Sequence, residues 1–277
     1  MERFLTHRTG RLALGAGPLV MGIVNVTPDS FSDGGLNLRP EVAVGAARAM
    51  AEAGADILDI GAESSRPGHA PIDAEEEWHR LAPVLDGLLG TETLPPVSVD
   101  TSKAVVARKA LAGGASLIND VWGFRRDPDI AGVAAENGAA AILMHNRDTV
   151  DPTIDIVEEI LRFLERSIGI ARRAGLSDDR IVVDPGLGFG KNHAQSYQAL
   201  AALPRLRALG FPILIGLSRK RFVGAFGDPA RTPAERRTGT LAANVYAALG
   251  GADIIRVHEV PEHVEALRVL SALRAAA

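Results

Sequence analysis

Cysteine is absent from the 277 residues, which excludes disulfides and thiolate-ligated metals. Neither sign of charge dominates. Lys and Arg total 30 and Asp and Glu 34, a formal net charge of −4 at pH 7, so nothing global points to nucleic acid or an anionic membrane surface. No apolar run is long enough to span a bilayer, and the opening MERFLTHRTGRLALGAG lacks the sustained apolar core of a secretory leader. No HExxH or cysteine cluster supports a structural zinc. The glycine-rich DPGLGFGK is neither a Walker A loop nor a Rossmann fingerprint. These absences leave a soluble cytoplasmic protein as the expectation.

What is present is a repeat. EAGADILDIG from Glu52, LAGGASLINDV from Leu111, ENGAAAILMH from Glu136 and LGGADIIRVH from Leu249 each end a helical pattern on Gly and then give an apolar run of strand length. Gly suits a helix C-cap, which needs a left-handed backbone. The apolar runs do not alternate, as expected of parallel strands covered on both faces. VMGIVNV from Val20, PVSVD from Pro96, RIVVDPG from Arg180 and PILIGLS from Pro212 bring the strands to eight. Helical stretches lie between them. One starts at Asp73 with Glu76 in capping-box spacing and contains Pro83, which is expected to bend or shorten it. Another, from Val157, is acidic early and basic late. A third begins at Pro261. The pattern predicts a single (β/α)8 TIM barrel over 1–277, with residues 1 to 17 as a short hairpin beneath it. A doubly wound open sheet is the alternative.

In such barrels chemistry sits where the strands end. Those ends supply Asn25, Asp59, Asp100, Asn119, Met144 with His145, Asp184, Ser218, and Arg256 with His258. For Thr101, Ser102 and Ser218, capping of the following helix is a serious competing explanation. Arg256 and His258 are two apart and so share one side of a strand. With Lys220 and Arg66 they suit an anion, while Asp184 and Asn119 suit a flat heterocycle rich in N–H donors and acceptors. His145 reads as structural or supporting rather than catalytic. His7, His69, His79, His193 and His263 show no convergent ligand pattern.

Seven motifs then occur in order: MGIVNVTPDSFSDGG, DIGAESSRPG, SVDTSK, INDVWG, DPGLGFGK, SRKRFVG and IIRVHEV. Over nearly the whole chain, from about Leu19 to Val269, the sequence closely resembles the dihydropteroate synthases of the folate pathway. The resemblance implies condensation of 7,8-dihydropterin-6-ylmethyl diphosphate with 4-aminobenzoate, releasing pyrophosphate. It implies a pterin pocket of Asp100, Asn119, Asp184 and Lys220, walled by Met144, Phe189 and Gly216. Arg66, Arg256 and His258, with Asn25 and an Mg²⁺ ion, are implied at the diphosphate end. Phe31, Ser65, Pro67, Ser218 and Arg219 are implied on the aminobenzoate side, where sulfonamide drugs also bind. The loop from Thr27 is implied as a lid. Asn25, Asp100, Lys220, Arg256 and His258 form the implied catalytic set, with Asn25 as metal ligand.

The resemblance further implies a homodimer through outer helices around the last three barrel strands. Departures from the family pattern include Ser65 for Thr, Arg221 for Ser, His258–Glu259 for His-Asp, and Asn192 after the DPGLGFGK run. None removes a residue of the implied catalytic set. The competing readings are a corrinoid-linked pterin methyltransferase, which is not expected to carry the TPDSFSDGG loop, and a catalytically silent pterin-binding paralogue.

Overall fold

The computed structural model describes residues 3–26, 40–63, 71–89, 94–224 and 231–276. β1 (Arg3–His7) and β2 (Gly10–Leu14) form an antiparallel hairpin. Eight parallel strands follow: β3 (Leu19–Asn25), β4 (Ile57–Gly61), β5 (Val97–Asp100), β6 (Leu117–Asp120), β7 (Ala140–Met144), β8 (Ile181–Asp184), β9 (Leu214–Ile215) and β10 (Ile254–Val257). Their spatial order is β8-β7-β6-β5-β4-β3-β10-β9. The remaining seam is a parallel bridge between Val183 and Ile213, with the Val183 N–H on the Pro212 carbonyl at 2.9 Å. That contact joins the two ends of the sheet, so the chain is a (β/α)8 barrel and not an open sheet. The helices are α1 (Pro40–Glu52), α2 (Ala74–Leu88), α3 (Ala104–Gly113), α4 (Asp129–Glu136), α5 (Ile156–Arg173), α6 (His193–Ala201), α7 (Leu203–Arg207), α8 (Arg237–Leu249) and α9 (Val260–Ala275).

The repeat in the sequence is a repeat of backbone chemistry. Gly54, Gly114, Gly138 and Gly251 have φ of 95°, 118°, 61° and 92°. In each case the alanine that follows donates its N–H five residues back, as Ala55 does to Met50 and Ala139 to Ala134. This is the Schellman closure, which satisfies orphan helix carbonyls and turns the chain straight into the next strand. Asp73 caps α2 by accepting the Glu76 N–H, but the Glu76 side chain pairs with Arg80 instead of returning to the cap. α2 also runs on through Pro83 to Leu88, so the proline does not shorten it. The buried Leu81, Val84, Leu85 and Leu88 hold that helix to the sheet across the missing N–H.

Two apolar regions follow from this layout. One lies between sheet and helices. The other fills the N-terminal mouth of the barrel, where Met21, Ile57, Leu117, Ile142, Val182 and Ile254 pack with Leu5 and Leu14 of the hairpin. The bottom is thus closed by the predicted hairpin, and polar side chains collect at the opposite rim.

Candidate active site

Asp59 sits inside β4 with no exposure to solvent. Its Oδ2 accepts from Asn119 Nδ2 at 3.0 Å and from Arg256 Nε at 2.6 Å. The same guanidinium donates to Asp100 Oδ2 at 3.0 Å. One carboxylate therefore ties together β4, β6 and β10, and Arg256 adds β5. Gly61 makes room for this, since a Cβ there would lie 3.2 Å from Asp100 Cβ. Burial raises the Asp100 pKa, with Asp59, Glu77 and Asp120 acting in the same direction and Arg256 opposing them. Burial works against the Arg256 charge, but Asp59 and Asp100 more than restore it and hold its pKa above the ordinary value.

The DPGLGFGK turn leaves β8 at Asp184, whose Oδ1 accepts the Gly186 N–H at 2.7 Å. Lys220 reaches across to donate to the Leu187 carbonyl, and its ammonium lies 4.2 Å from the centre of the Phe189 ring. Burial raises the Asp184 pKa against the pull of Lys220 and the Gly186 hydrogen bond. Burial lowers Lys220 to about 7, with Asp184 resisting. Met144 is buried at the end of β7 and pairs in register with Asp184. A Cβ on Gly216 would stand 3.9 Å from both Asp184 Oδ2 and the Arg256 side chain, so Gly216 leaves the pocket open between them.

His258 follows β10. Its Nδ1 meets Ser218 Oγ at 2.8 Å and its Nε2 meets Asn25 Nδ2 at 3.4 Å. The Asn25 amide nitrogen faces the ring, which leaves the amide oxygen as the hard donor at this end of the site. No group of three or more His, Cys, Asp or Glu suited to a metal occurs among the described residues. The donor set fits Mg²⁺ held by one protein oxygen plus diphosphate and water, and does not fit an all-protein cage. Arg219 has a left-handed backbone (φ 58°) and donates its Nε to Glu259 Oε1 at 2.6 Å, while its N–H takes Thr240 Oγ1 at 3.0 Å. Glu259, the departure from His-Asp noted above, also draws in Arg237 at 3.3 Å.

The structure therefore brings Asn25, Asp100, Asn119, Met144, Asp184, Phe189, Gly216, Ser218, Arg219, Lys220, Arg256 and His258 to one end of the barrel. Thr27, Phe31, Ser65, Arg66 and Pro67, with the loop read as a lid, lie outside the described residues. Sequence alone marks Asp59 as a polar strand end without a role of its own, and the structure makes it the hub of the rim. One buried group was not singled out from sequence. Lys191, which closes the glycine-rich turn, is only 6% exposed; a lysine read as the end of a loop motif gave no sign of burial.

Fold and rim together define a barrel enzyme for small molecules, with a hydrogen-bonding pocket beside a cationic one. The family model of the pterin binding enzymes matches residues 21–258. The dihydropteroate synthase of Clostridium beijerinckii is 44% identical, over 92% of this chain and 94% of its own length. The Xanthomonas albilineans dihydropteroate synthase with 4-aminobenzoic acid superposes with a TM-score of 0.90 at 46% identity, covering 96% of each chain. The same enzyme in complex with 7,8-dihydropteroate gives a TM-score of 0.85 at 44% identity, covering 95% of this chain and 96% of that one. The chain belongs to the pterin binding enzymes, and within them to the dihydropteroate synthases.

Proposed function

We propose that the chain condenses 7,8-dihydropterin-6-ylmethyl diphosphate with 4-aminobenzoate to give 7,8-dihydropteroate and pyrophosphate. The observation that carries this reading is the rim itself, where the Asp184–Asn119–Lys220 pocket adjoins the Arg256–His258–Asn25 end. Asp184 and Asn119 hold the donor-rich edge of the pterin, and Phe189 with Met144 and Gly216 bounds its ring. The CH₂–O bond breaks with its electron pair leaving on pyrophosphate. Asp100 supplies negative field where positive charge grows on the pterin methylene, while Arg256 stays at hand through donors that its two carboxylate partners leave unused. The aminobenzoate nitrogen attacks with its lone pair and then releases a proton to solvent. Its low basicity keeps it neutral and nucleophilic, so positioning matters more than a dedicated base.

Mg²⁺ bound through Asn25 would neutralise charge on the leaving diphosphate. His258, held by Ser218, lies on the amide-nitrogen side of the same Asn25. Ser218 and Arg219, with Phe31, Ser65 and Pro67, form the aminobenzoate side, where sulfonamides would compete. Thr27 and Arg66 would complete the diphosphate side. Among the described residues no helix is long and apolar enough to cross a membrane, and we place this reaction in the cytoplasm, in a single-domain subunit of a homodimer.

The test is pyrophosphate release from the pterin diphosphate with and without 4-aminobenzoate. Release that requires both is expected. Binding of pterin without turnover would mark a silent paralogue, and demethylation of methyltetrahydrofolate would mark a methyltransferase. Treatment with EDTA is expected to suppress release while leaving affinity for a bare pterin within about two-fold, since the pterin pocket holds no proposed metal ligand. Full activity in metal-free enzyme would remove Mg²⁺ from the assignment.

A further inference from the structure

Beneath the glycine-rich turn lies a buried chain of titratable groups that the reaction above does not use. The ammonium of Lys191 contacts His145 Nδ1 at 2.6 Å, the Gly186 carbonyl at 2.8 Å and the Phe189 carbonyl at 3.0 Å. The other ring nitrogen of His145, Nε2, meets the Glu159 carboxylate on α5. His145 is fully buried and packs edge-on against Phe163 at 4.8 Å, while the Glu159 side chain is 34% exposed. The His145 backbone N–H also holds the Asp184 carbonyl at 2.9 Å. Every residue that this ammonium touches thus belongs to the turn that presents Asp184, Leu187 and Phe189, or is hydrogen-bonded to it through its backbone.

We propose that Lys191 is a positioning residue for the pterin half of the site, a fixed cation that clamps the Gly186–Phe189 turn and is itself oriented by a His145–Glu159 pair. The proposal rests on the functional reading above for what the turn holds. An ammonium has three donors and no acceptor, and here three acceptors meet it. His145 Nδ1 must then carry a lone pair, which puts the ring proton on Nε2, directed at the Glu159 carboxylate. Burial pulls His145 down to about 4, in keeping with a neutral ring. Burial opposes the Glu159 charge, but the His145 hydrogen bond and nearby cations outweigh it and lower its pKa. One rival state has the same number of protons: a neutral Lys191 amine accepting from Nδ1–H, with Glu159 protonated. It would leave no cation under Asp184. Burial favours that state, since it pulls Lys191 well below its ordinary range, while Asp184 favours the charged one. The clamp acts on geometry as well. With Gly186 O drawn to Nζ, the Gly186 N–H is aimed at Asp184 Oδ1. With Phe189 O drawn to the same atom, the ring above it is set for Lys220.

Three variants and one measurement on the unaltered protein test this. Lys191→Met keeps the bulk and removes all three donors. It is expected to weaken binding of a bare pterin by about ten-fold or more, as loss of charge-assisted hydrogen bonds should, while the KM for 4-aminobenzoate moves by less than about two-fold. His145→Asn keeps an acceptor at the Nδ1 position, so it should recover most of the affinity that His145→Leu loses. Wild-type pterin affinity in Lys191→Met, or equal losses in the two His145 variants, would overturn the proposal. Should Lys191→Met fail to fold, the nitrogen resonances of the Lys191 side chain and the His145 ring in the wild-type protein still decide. A charged ammonium beside a ring protonated at Nε2 near pH 7 is expected, and a neutral amine or a ring protonated at Nδ1 would overturn the proposal. Asp184→Asn is the control for the functional reading. If it leaves pterin binding intact while the Lys191 and His145 resonances come out as expected, the reading of the pocket fails and the charged clamp stands.

Discussion

The Lys220 ammonium stands among groups that pull its proton two ways, burial removing it and Asp184 and Asp100 retaining it, with burial prevailing to place its pKa at about 7. The consequence for stability has a definite sign. The folded-state pKa lies below that of an exposed lysine, so the unfolded chain binds more protons between about 7 and 10.5. Stability contributed by Lys220 is therefore fully present above the unfolded value and is lost as pH falls through the folded one. Lys220→Met abolishes this titration. From pH 7 to pH 10 the wild type should gain on the variant by about 3 kcal/mol, read as the difference between two denaturation series. A gap that stays flat across that range would mean that the lysine is not desolvated in the free enzyme. The same residue marks a limit of reading chemistry from letters. SRKRF identified Lys220 as an anion or carbonyl binder, and the structure gives it the Leu187 carbonyl and the Phe189 ring, but the burial that moves its pKa comes from strands distant in sequence.

At the scale of elements, two kinds of glycine turn do different work. Gly210 has φ 84° and a Cβ there would meet nothing within 4 Å. Gly186 has φ 63° and a Cβ there would fall 1.8 Å from the His145 carbonyl oxygen, a backbone atom that cannot step aside. Gly210→Ala should therefore cost only the left-handed strain, about 1 kcal/mol, whereas Gly186→Ala should cost at least about 2 kcal/mol and weaken pterin binding as well. Denaturation of the two variants side by side, with calorimetry for the pterin, checks this. Equal losses would assign the whole effect to φ and none to the packing of the turn on His145.

The contrast also explains what was legible in the sequence. The helix-closing glycines and their strands are local signals, since one Schellman bond pattern spans six residues. The eight strands, the hairpin and the polar strand ends could accordingly be read in order. The Asp59 hub depends on partners 60 and 197 residues away, and the Lys191 clamp on His145 after β7 and, through it, Glu159 on α5. Neither spacing leaves a periodic trace, so only closure of the barrel could bring them to view.

At the scale of the whole molecule, the described residues include an apolar surface that the barrel does not explain. Tyr246 and Leu249 on α8 are 53% and 56% exposed, and Val269 and Leu273 on α9 are 56% and 64% exposed. These two helices pack on each other and follow β9 and β10. Single exposed apolar residues are ordinary on a soluble surface, but four large ones on adjoining helices suit contact with a second copy of the same face, as a two-fold interface requires. Arg274 donates to the Ala248 and Leu249 carbonyls at 3.0 and 3.2 Å, which ties the C-terminal end of α8 to α9. The face would then dock as one unit instead of two independent helices. Light scattering of the wild type should give the mass of two subunits at micromolar concentration. The double variant Leu249→Glu with Leu273→Glu should give one, because paired carboxylates brought to the centre of a two-fold interface lose their water and repel. Circular dichroism unchanged from wild type would show that the barrel survives, since both side chains already face solvent. A wild-type protein that remains a single subunit would dismiss the dimer, and a double variant that keeps the mass of two would move the interface to another face.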